Sequence, residues 1–248
     1  MSEDEAFIRA IVDSPGDDTP RLVYADWLDD RADPRGPYLR AEREAVETGD
    51  VARLRELAAG LDPVWVTRVS RPPAGVCCDR IRFEQCGAAL GAPDIELVEQ
   101  ELGGRFSADF FAFLLNYNGG VPRPGCLSYR DPAWADMDLE IEDFFTANRS
   151  LDEAGKRLSE IESEREWLEE LYRMGDSNDP NPLIAGLAPI GHTSADLGYL
   201  LIGIGDTNRG RVFHFRDYCH FSNDPSHLFE HTDTLGQFLN GLRPCRPL

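Results

Sequence analysis

The clearest match to a catalytic pattern is the segment His227-Leu228-Phe229-Glu230-His231. On a helix, H-x-x-E-H sets two zinc-binding histidines one turn apart, with a glutamate that acts on metal-bound water. A zinc hydrolase also needs a third ligand, and Asp233 is the only carboxylate side chain downstream. Asp224-Pro225 leaves room for only a brief helix. We therefore predict polar histidines on a surface turn, no bound metal and no enzymatic activity.

The six cysteines have the spacing of neither a zinc site nor a disulfide framework. Zinc sites favour Cys-x-x-Cys pairs, whereas Cys77 and Cys78 are adjacent and Cys86 is the next. Six cysteines are also few for stapling a chain of 248 residues. We expect all of them to be reduced and most of them to be buried.

A run of acidic residues between positions 136 and 143 alternates with apolar residues, which predicts a strand with one acidic face. The acidic residues are Asp136, Asp138, Glu140, Glu142 and Asp143. Such a row is often the solvated face of an edge strand, where it opposes aggregation. The alternative is a platform that steers and docks a basic protein. Further acids follow between positions 152 and 170.

The overall charge limits the classes of partner. Asp and Glu number 45 against 25 Lys and Arg, which gives a formal charge of −20. Sequence-independent nucleic-acid binding needs a basic stripe, and anionic membrane surfaces repel a chain of this sign. The first residues lack the basic and apolar regions of a signal peptide, and no apolar run reaches the roughly 20 residues of a membrane span. We predict a cytoplasmic protein that binds neither nucleic acid nor membrane.

Residues 1–61 have the apolar spacing and end signals of four short helices. Thr19-Pro20, for example, combines a helix cap with proline at the first helical position. The most distinctive positions are Tyr24, Asp26, Trp27, Leu28, Asp33, Pro34 and Gly36. With them the stretch resembles the small repeat-companion domain found at the N-termini of many bacterial proteins. The resemblance implies a helical adaptor or docking domain over residues 1–69, with the aromatic residues in its core.

A linker is predicted at residues 70–76, because Pro72 and Pro73 disfavour helix in the residues before them. Helix signals resume at Pro93 and again after Ser107, and the second helix is rich in phenylalanine. The glycines between 203 and 210 lack the spacing and the following helix of a phosphate loop, and predict a hairpin turn instead. A final helix is predicted at residues 233–242.

Over about residues 90–243 these pieces resemble, in order, the SUKH superfamily. The glycine-rich and apolar positions that carry the resemblance include Ile95, Glu99, Asn118, Gly119, Gly120, Pro122, Gly198 and Gly210. The resemblance implies an α+β fold, with a mainly antiparallel sheet flanked by helices, over residues 77–248. Bacterial members are largely immunity proteins that neutralise toxins, many of them nucleases. Fungal relatives are regulatory scaffolds in cell-wall synthesis, and neither role is enzymatic.

Residues 150–174 depart from the SUKH pattern. Their apolar positions, with Leu151, Leu158 and Trp167 among them, predict an inserted helix. From all these observations we expect a protein without cofactor, most simply an immunity-type protein whose acidic residues 136–143 bind a basic toxin. The alternative is a regulatory scaffold in which the helical N-terminal domain docks the SUKH-like domain to a cellular complex.

Overall fold

The computed structural model describes residues 2–49, 51–131, 135–151, 156–173, 184–194, 198–216 and 227–246. Its N-terminal region is helical. The helices are α1 (Glu3–Asp13), α2 (Thr19–Asp29), α3 (Arg35–Thr48), α4 (Ala52–Ala58) and α5 (Pro63–Val69). The four helices expected from the sequence are confirmed, whereas α5 was not expected. Its start signal is nevertheless present in the sequence, because Asp62 caps the amide of Val64 at 3.0 Å and Pro63 takes the first helical position.

A buried ion-pair network holds α2 and α3 against the chain that follows α5. Arg21 is fully buried, with its guanidinium 3.6 Å from the carboxylate of Glu42. Glu42 also pairs with Arg71 at 3.1 Å, and Arg71 pairs with Asp18 at 2.7 Å. Arg21 donates in addition to the carbonyl oxygen of Val69. Buried charges need such partners, because an unpaired charge in the interior is costly.

The C-terminal region mixes strands and helices. Its elements are β1 (Arg82–Glu84), α6 (Ala92–Leu102), α7 (Ala108–Asn116), β2 (Val121–Arg123), β3 (Cys126–Asp131), β4 (Ala135–Phe144), β5 (Ser150–Leu151), β6 (Arg157–Leu158), α8 (Glu160–Arg173), β7 (Leu187–Thr193), β8 (Gly198–Gly203), β9 (Val212–Phe215), β10 (Leu228–Thr232) and α9 (Leu235–Gly241). Among the described residues, six strands form one sheet in the order β10-β9-β8-β7-β4-β3, and every neighbouring pair is antiparallel. The predicted α+β fold is confirmed, as is the hairpin formed by β8 and β9.

The insertion differs from the expected continuous helix. Its first part is a two-stranded hairpin in which Ser150 pairs with Leu158, and Leu151 is 66% exposed rather than in the core. The helix α8 begins only at Glu160, where Ser159 and Glu162 form a capping box. The Ser159 hydroxyl accepts from the Glu162 amide at 3.3 Å, and the Glu162 carboxylate accepts from the Ser159 amide at 2.8 Å.

The prediction that all cysteines are reduced is wrong for one pair. Cys126 and Cys245 form a disulfide with their Cα atoms 5.0 Å apart. The contact arises because the C-terminal segment lies along β3, where the backbone groups of Arg243 and Cys126 exchange hydrogen bonds of 2.8 and 3.0 Å. Cys77 and Cys78 are buried free thiols, and Cys86 is an exposed one. Cys219 lies outside the described residues.

The N- and C-terminal regions share an interface between α5 and α7. The Arg68 guanidinium donates to the side-chain oxygen of Asn116, and the Asn116 amide donates back to the Arg68 carbonyl, both at 3.0 Å. Tyr117 packs against the hydrophobic cores of both regions. Within the predicted linker, Ser70 and Val76 are fully buried. The domain limits given above stay a prediction.

Candidate protein-binding surface

The acidic segment forms β4, as its alternation predicts, but β4 is not an edge strand. It pairs with β3 on one side, where Asp138 faces Ser128, and with β7 on the other. The edge-strand interpretation is therefore wrong. Leu139 and Ile141 point into the core, so the alternating carboxylates lie on the opposite side of the sheet.

Asp138 is occupied by the chain's own C-terminal segment. Its carboxylate lies 2.6 Å from the guanidinium of Arg243 and 3.7 Å from that of Arg246, and it accepts from the Ser128 hydroxyl at 2.9 Å. Desolvation raises the pKa of Asp138, but these hydrogen bonds and positive charges outweigh it and lower the pKa overall. Asp138, one of the predicted partner-binding residues, is thus already engaged by two arginines of the same chain.

Glu140 and Glu142 are exposed, and neither carboxylate has an ion-pair partner among the residues that the structure describes. A bulge at Glu142 ends the period of two, because Ile141 faces Thr193 while Asp143 faces His192. The backbone of Asp136 belongs to β4, and its side chain lies outside what is described.

A row of rings connects the acidic strand to α8. Asp143 lies 3.2 Å from the Nδ1 atom of His192 and accepts from its backbone amide at 3.0 Å. His192 and Tyr199 are cross-strand partners with ring centroids 5.4 Å apart, and Trp167 of α8 follows at 6.0 Å from Tyr199. The Tyr199 hydroxyl donates to Glu164 at 2.8 Å. Cross-strand partners share a face, so these side chains form one continuous surface.

Several acids of the insertion serve internal contacts instead. Glu162 is buried and pairs with Arg149 at 3.0 Å, Glu160 accepts from the Thr146 amide at 2.6 Å, and Glu166 pairs with Lys156. Trp167, by contrast, is 40% exposed. We use the name acidic-aromatic surface for Glu140, Glu142, Asp143, His192 and Trp167. The exposed tryptophan could not be distinguished from a core position by its spacing in the sequence.

The His227–His231 segment is not the surface turn that the sequence predicts. Leu228–Thr232 form β10, which pairs with β9. His231 stacks on the fully buried His214, with its Nε2 atom 2.7 Å from the Nδ1 atom of His214. The would-be catalytic Glu230 pairs with Arg211 at 3.3 Å. The apolar and aromatic neighbours of β10 therefore make it a strand, and the helical spacing that zinc binding requires is lost.

Of the SUKH-type positions, Asn118, Gly119, Gly120 and Gly210 lie in turns, whereas Pro122 and Gly198 lie in strands. Asn118, Gly119 and Gly120 have positive φ values of 51°, 79° and 104°. The buried Asn118 side chain donates to the Ala88 carbonyl at 2.7 Å and accepts from the Ala147 amide at 2.8 Å. Three other positions lie along the same fold, with Pro122 in β2, Gly198 at the start of β8 and Gly210, with a φ of 84°, in the hairpin turn. These residues shape the fold, and none belongs to the acidic-aromatic surface.

The distinctive N-terminal residues are mostly structural. Tyr24 and Leu28 are fully buried, and Gly36 sits where a Cβ would lie 3.1 Å from the Ala25 carbonyl oxygen. Asp26, on the exposed side, pairs with Arg40 at 2.5 Å. Trp27 packs under the Arg31 guanidinium, 3.8 Å from the ring centroid. Asp33 binds Arg35 at 2.8 Å beside Pro34, which precedes α3. The resemblance to the repeat-companion domain stays a prediction.

The described part of the chain contains no group of three or more His, Cys, Asp or Glu side chains placed to hold a metal ion. None of its helices combines the length and apolar character needed to cross a membrane.

An antiparallel α+β domain that presents an exposed tryptophan among carboxylates has the features of a protein-binding domain, since exposed aromatic anchors are typical of protein interfaces. The chain belongs to the SMI1 / KNR4 family (SUKH-1), whose family model matches residues 92–241. This family includes immunity proteins and cell-wall regulators, and its domains are generally non-catalytic binding modules. No curated protein and no solved structure matches the chain.

Proposed function

We infer that this protein is an immunity-type protein that binds and neutralises a basic protein toxin through the acidic-aromatic surface. The observation that carries the proposal is the exposed pair Glu140 and Glu142, which lack ion-pair partners among the described residues, on a sheet face that continues to Trp167. Unpaired carboxylates attract a cationic partner over long range and select against acidic ones. An exposed tryptophan supplies the apolar anchor that interfaces favour.

The internal contact at Asp138 supports this proposal. Arg243 and Arg246 of the same chain already dock on the acidic face there, so the face accommodates guanidinium groups. A nuclease toxin is basic where it grips nucleic acid, and its cationic surface would meet the neighbouring carboxylates in the same way.

A growth assay tests the proposed function. Where a toxin gene neighbours the gene for this chain, cells express that toxin with the wild-type chain, with E140K/E142K, or with E47K/E56K as a variant of equal charge change on exposed residues elsewhere. We expect the wild type and E47K/E56K to restore growth and E140K/E142K to fail. If the wild type does not restore growth, the immunity role is contradicted and the scaffold alternative is favoured.

The cytoplasmic location is part of this proposal. The Cys126–Cys245 disulfide is an observation against this location, because disulfides are more typical of oxidising compartments than of the cytoplasm. Fractionation of the source cells would test the location, with recovery outside the cytoplasm as the contradicting result.

A further inference from the structure

A second surface, which shares no residue with the acidic-aromatic surface, lies at the junction of the two regions. A cavity of about 740 Å³ opens between the N-terminal helices and the helices α6 and α7. The N-terminal region contributes Ile8, Val64 and Trp65, and the C-terminal region contributes Phe111 and Leu115. Val64, Phe111 and Leu115 remain only partly buried, so the floor keeps apolar area that a ligand can cover. We call this cavity the junction groove.

The rim of the junction groove is acidic. Its carboxylates belong to Asp4, Glu5, Asp33, Asp62 and Glu96, and its guanidinium groups to Arg35 and Arg68. Both cations are neutralised within the rim. Arg68 pairs with Glu5 at 2.7 Å, and Arg35 pairs with Asp33 at 2.8 Å and with Asp4 at 3.1 Å. The net charge of the rim is therefore negative.

Two of the rim carboxylates face solvent. Asp62 and Glu96 are both exposed and have no ion-pair partner among the residues described. They come from opposite sides of the junction, Asp62 before α5 and Glu96 from α6. An apolar floor between two such carboxylates fits a segment with apolar side chains on one face and cationic side chains at its borders.

We propose that the junction groove docks a cationic amphipathic helix of a partner protein. An apolar groove commonly receives such a helix through anchors at i, i+3, i+4 and i+7, and the negative rim selects lysine or arginine beside those anchors. The site needs both regions of the chain, and its rim includes Asp33 and Pro34, two of the distinctive N-terminal residues. It is separate from the acidic-aromatic surface and does not depend on the proposed immunity role.

The probe is a fluorescein-labelled Leu/Lys peptide of about 18 residues, longer than the roughly 12–15 at which isolated helices are marginal. A peptide with Glu in place of Lys is the control ligand. Fluorescence anisotropy measures the affinity of each peptide for the full chain. We expect the Lys peptide to bind and the Glu peptide to bind at least about tenfold more weakly, because the rim attracts only the former.

Variants of the chain show whether the peptide binds in the junction groove. E96K and F111A should each weaken binding at least about tenfold, since they remove rim charge and floor area. E47K and L97A should leave the affinity within about twofold, because Glu47 and Leu97 are exposed and outside the groove. Glu96 is exposed, so E96K decides the question even if F111A fails to fold.

Three results would overturn the proposal. They are unchanged affinity in E96K, equal binding of the Glu peptide, or loss of binding in E140K/E142K with the groove variants unaffected. The last result would assign the peptide to the acidic-aromatic surface. Conversely, failure of the growth assay leaves the peptide result unchanged, so the two proposals fail separately.

Discussion

The buried Arg21–Glu42–Arg71 network depends on each of its charges. We predict that E42Q lowers the free energy of unfolding by about 3–5 kcal/mol, because Arg21 then remains as a buried cation without its carboxylate. E47Q on the same helix removes an exposed ion pair with Arg43 and should cost less than about 1 kcal/mol. Urea unfolding of both variants measures the difference. Equal losses of unfolding free energy in E42Q and E47Q would contradict the conclusion that the buried ion pair matters more than the exposed one.

The His214–His231 pair predicts a pH dependence of stability. Burial lowers the pKa of His214 to about 3, with His231 and Arg216 adding to the shift, and burial lowers that of His231 to about 4. An unfolded histidine has a pKa of about 6.5. Between these values the unfolded state binds more protons, so stability is fully present above about pH 6.5 and falls as pH falls.

Urea unfolding at pH 7.5 and pH 5.5 tests this dependence. The loss approaches about 1.4 kcal/mol per pH unit for one such histidine, and H214F/H231F should reduce it. The double substitution suits the site, because Tyr129, Phe229 and Phe238 already surround the pair. The same pH slope in wild type and double variant would show that these histidines do not cause it.

At the scale of elements, the turn after α7 depends on glycine at position 119. At Gly119, with a φ of 79°, an added Cβ would lie 2.6 Å from the carbonyl oxygen of Phe144. We predict that G119A lowers the free energy of unfolding by about 2 kcal/mol or more. G60A, where an added Cβ meets nothing within 4 Å, is the control and should change little. Thermal unfolding compares them, and an unaffected G119A would contradict the assigned turn geometry.

Elements with local signals could be predicted from the sequence, and those set by distant contacts could not. Asn118-Gly119 acts on its own neighbours, and the structure confirms the turn there. Thr19-Pro20 also marks the start of a helix, but the prediction that Thr19 is the cap is wrong, because α2 begins at Thr19 itself and Asp18 occupies the capping position. The capping box of Ser159 and Glu162 was also visible as a Ser-x-x-Glu pattern, but the apolar spacing from Leu151 onward obscured it. By contrast, the pairing of Asp138 with Arg243 joins residues far apart in the chain, and no local pattern indicates it.

The candidate site follows the same division. The strand and its exposed Glu140 follow from the period of two, which holds as far as Ile141. The bulge that brings Asp143 to His192, and the contact of Tyr199 with Trp167, depend on strand register and on the position of α8. Register is set by pairing across the sheet, so these contacts could not be predicted from the sequence.

At the scale of the whole molecule, the contacts between Arg68 and Asn116 predict that both regions unfold together. N116A should lower stability by about 1–3 kcal/mol, since it leaves buried groups of Arg68 without partners. Hydrogen exchange should then show an equal loss of protection in α1 and in β8. N240A, an exposed control, should change neither. Loss confined to one region would instead support two independently stable domains joined by a linker.

The central claim is that Glu140 and Glu142 attract a basic protein partner. Its most direct test is the affinity of the chain for a toxin that it neutralises in the growth assay, measured by calorimetry at low and high salt. We predict that E140K/E142K weakens binding at low salt by at least about tenfold and flattens the salt dependence, because the attraction is electrostatic. E47K/E56K should retain the wild-type affinity within about twofold. Unchanged affinity and unchanged salt dependence in E140K/E142K would contradict the claim.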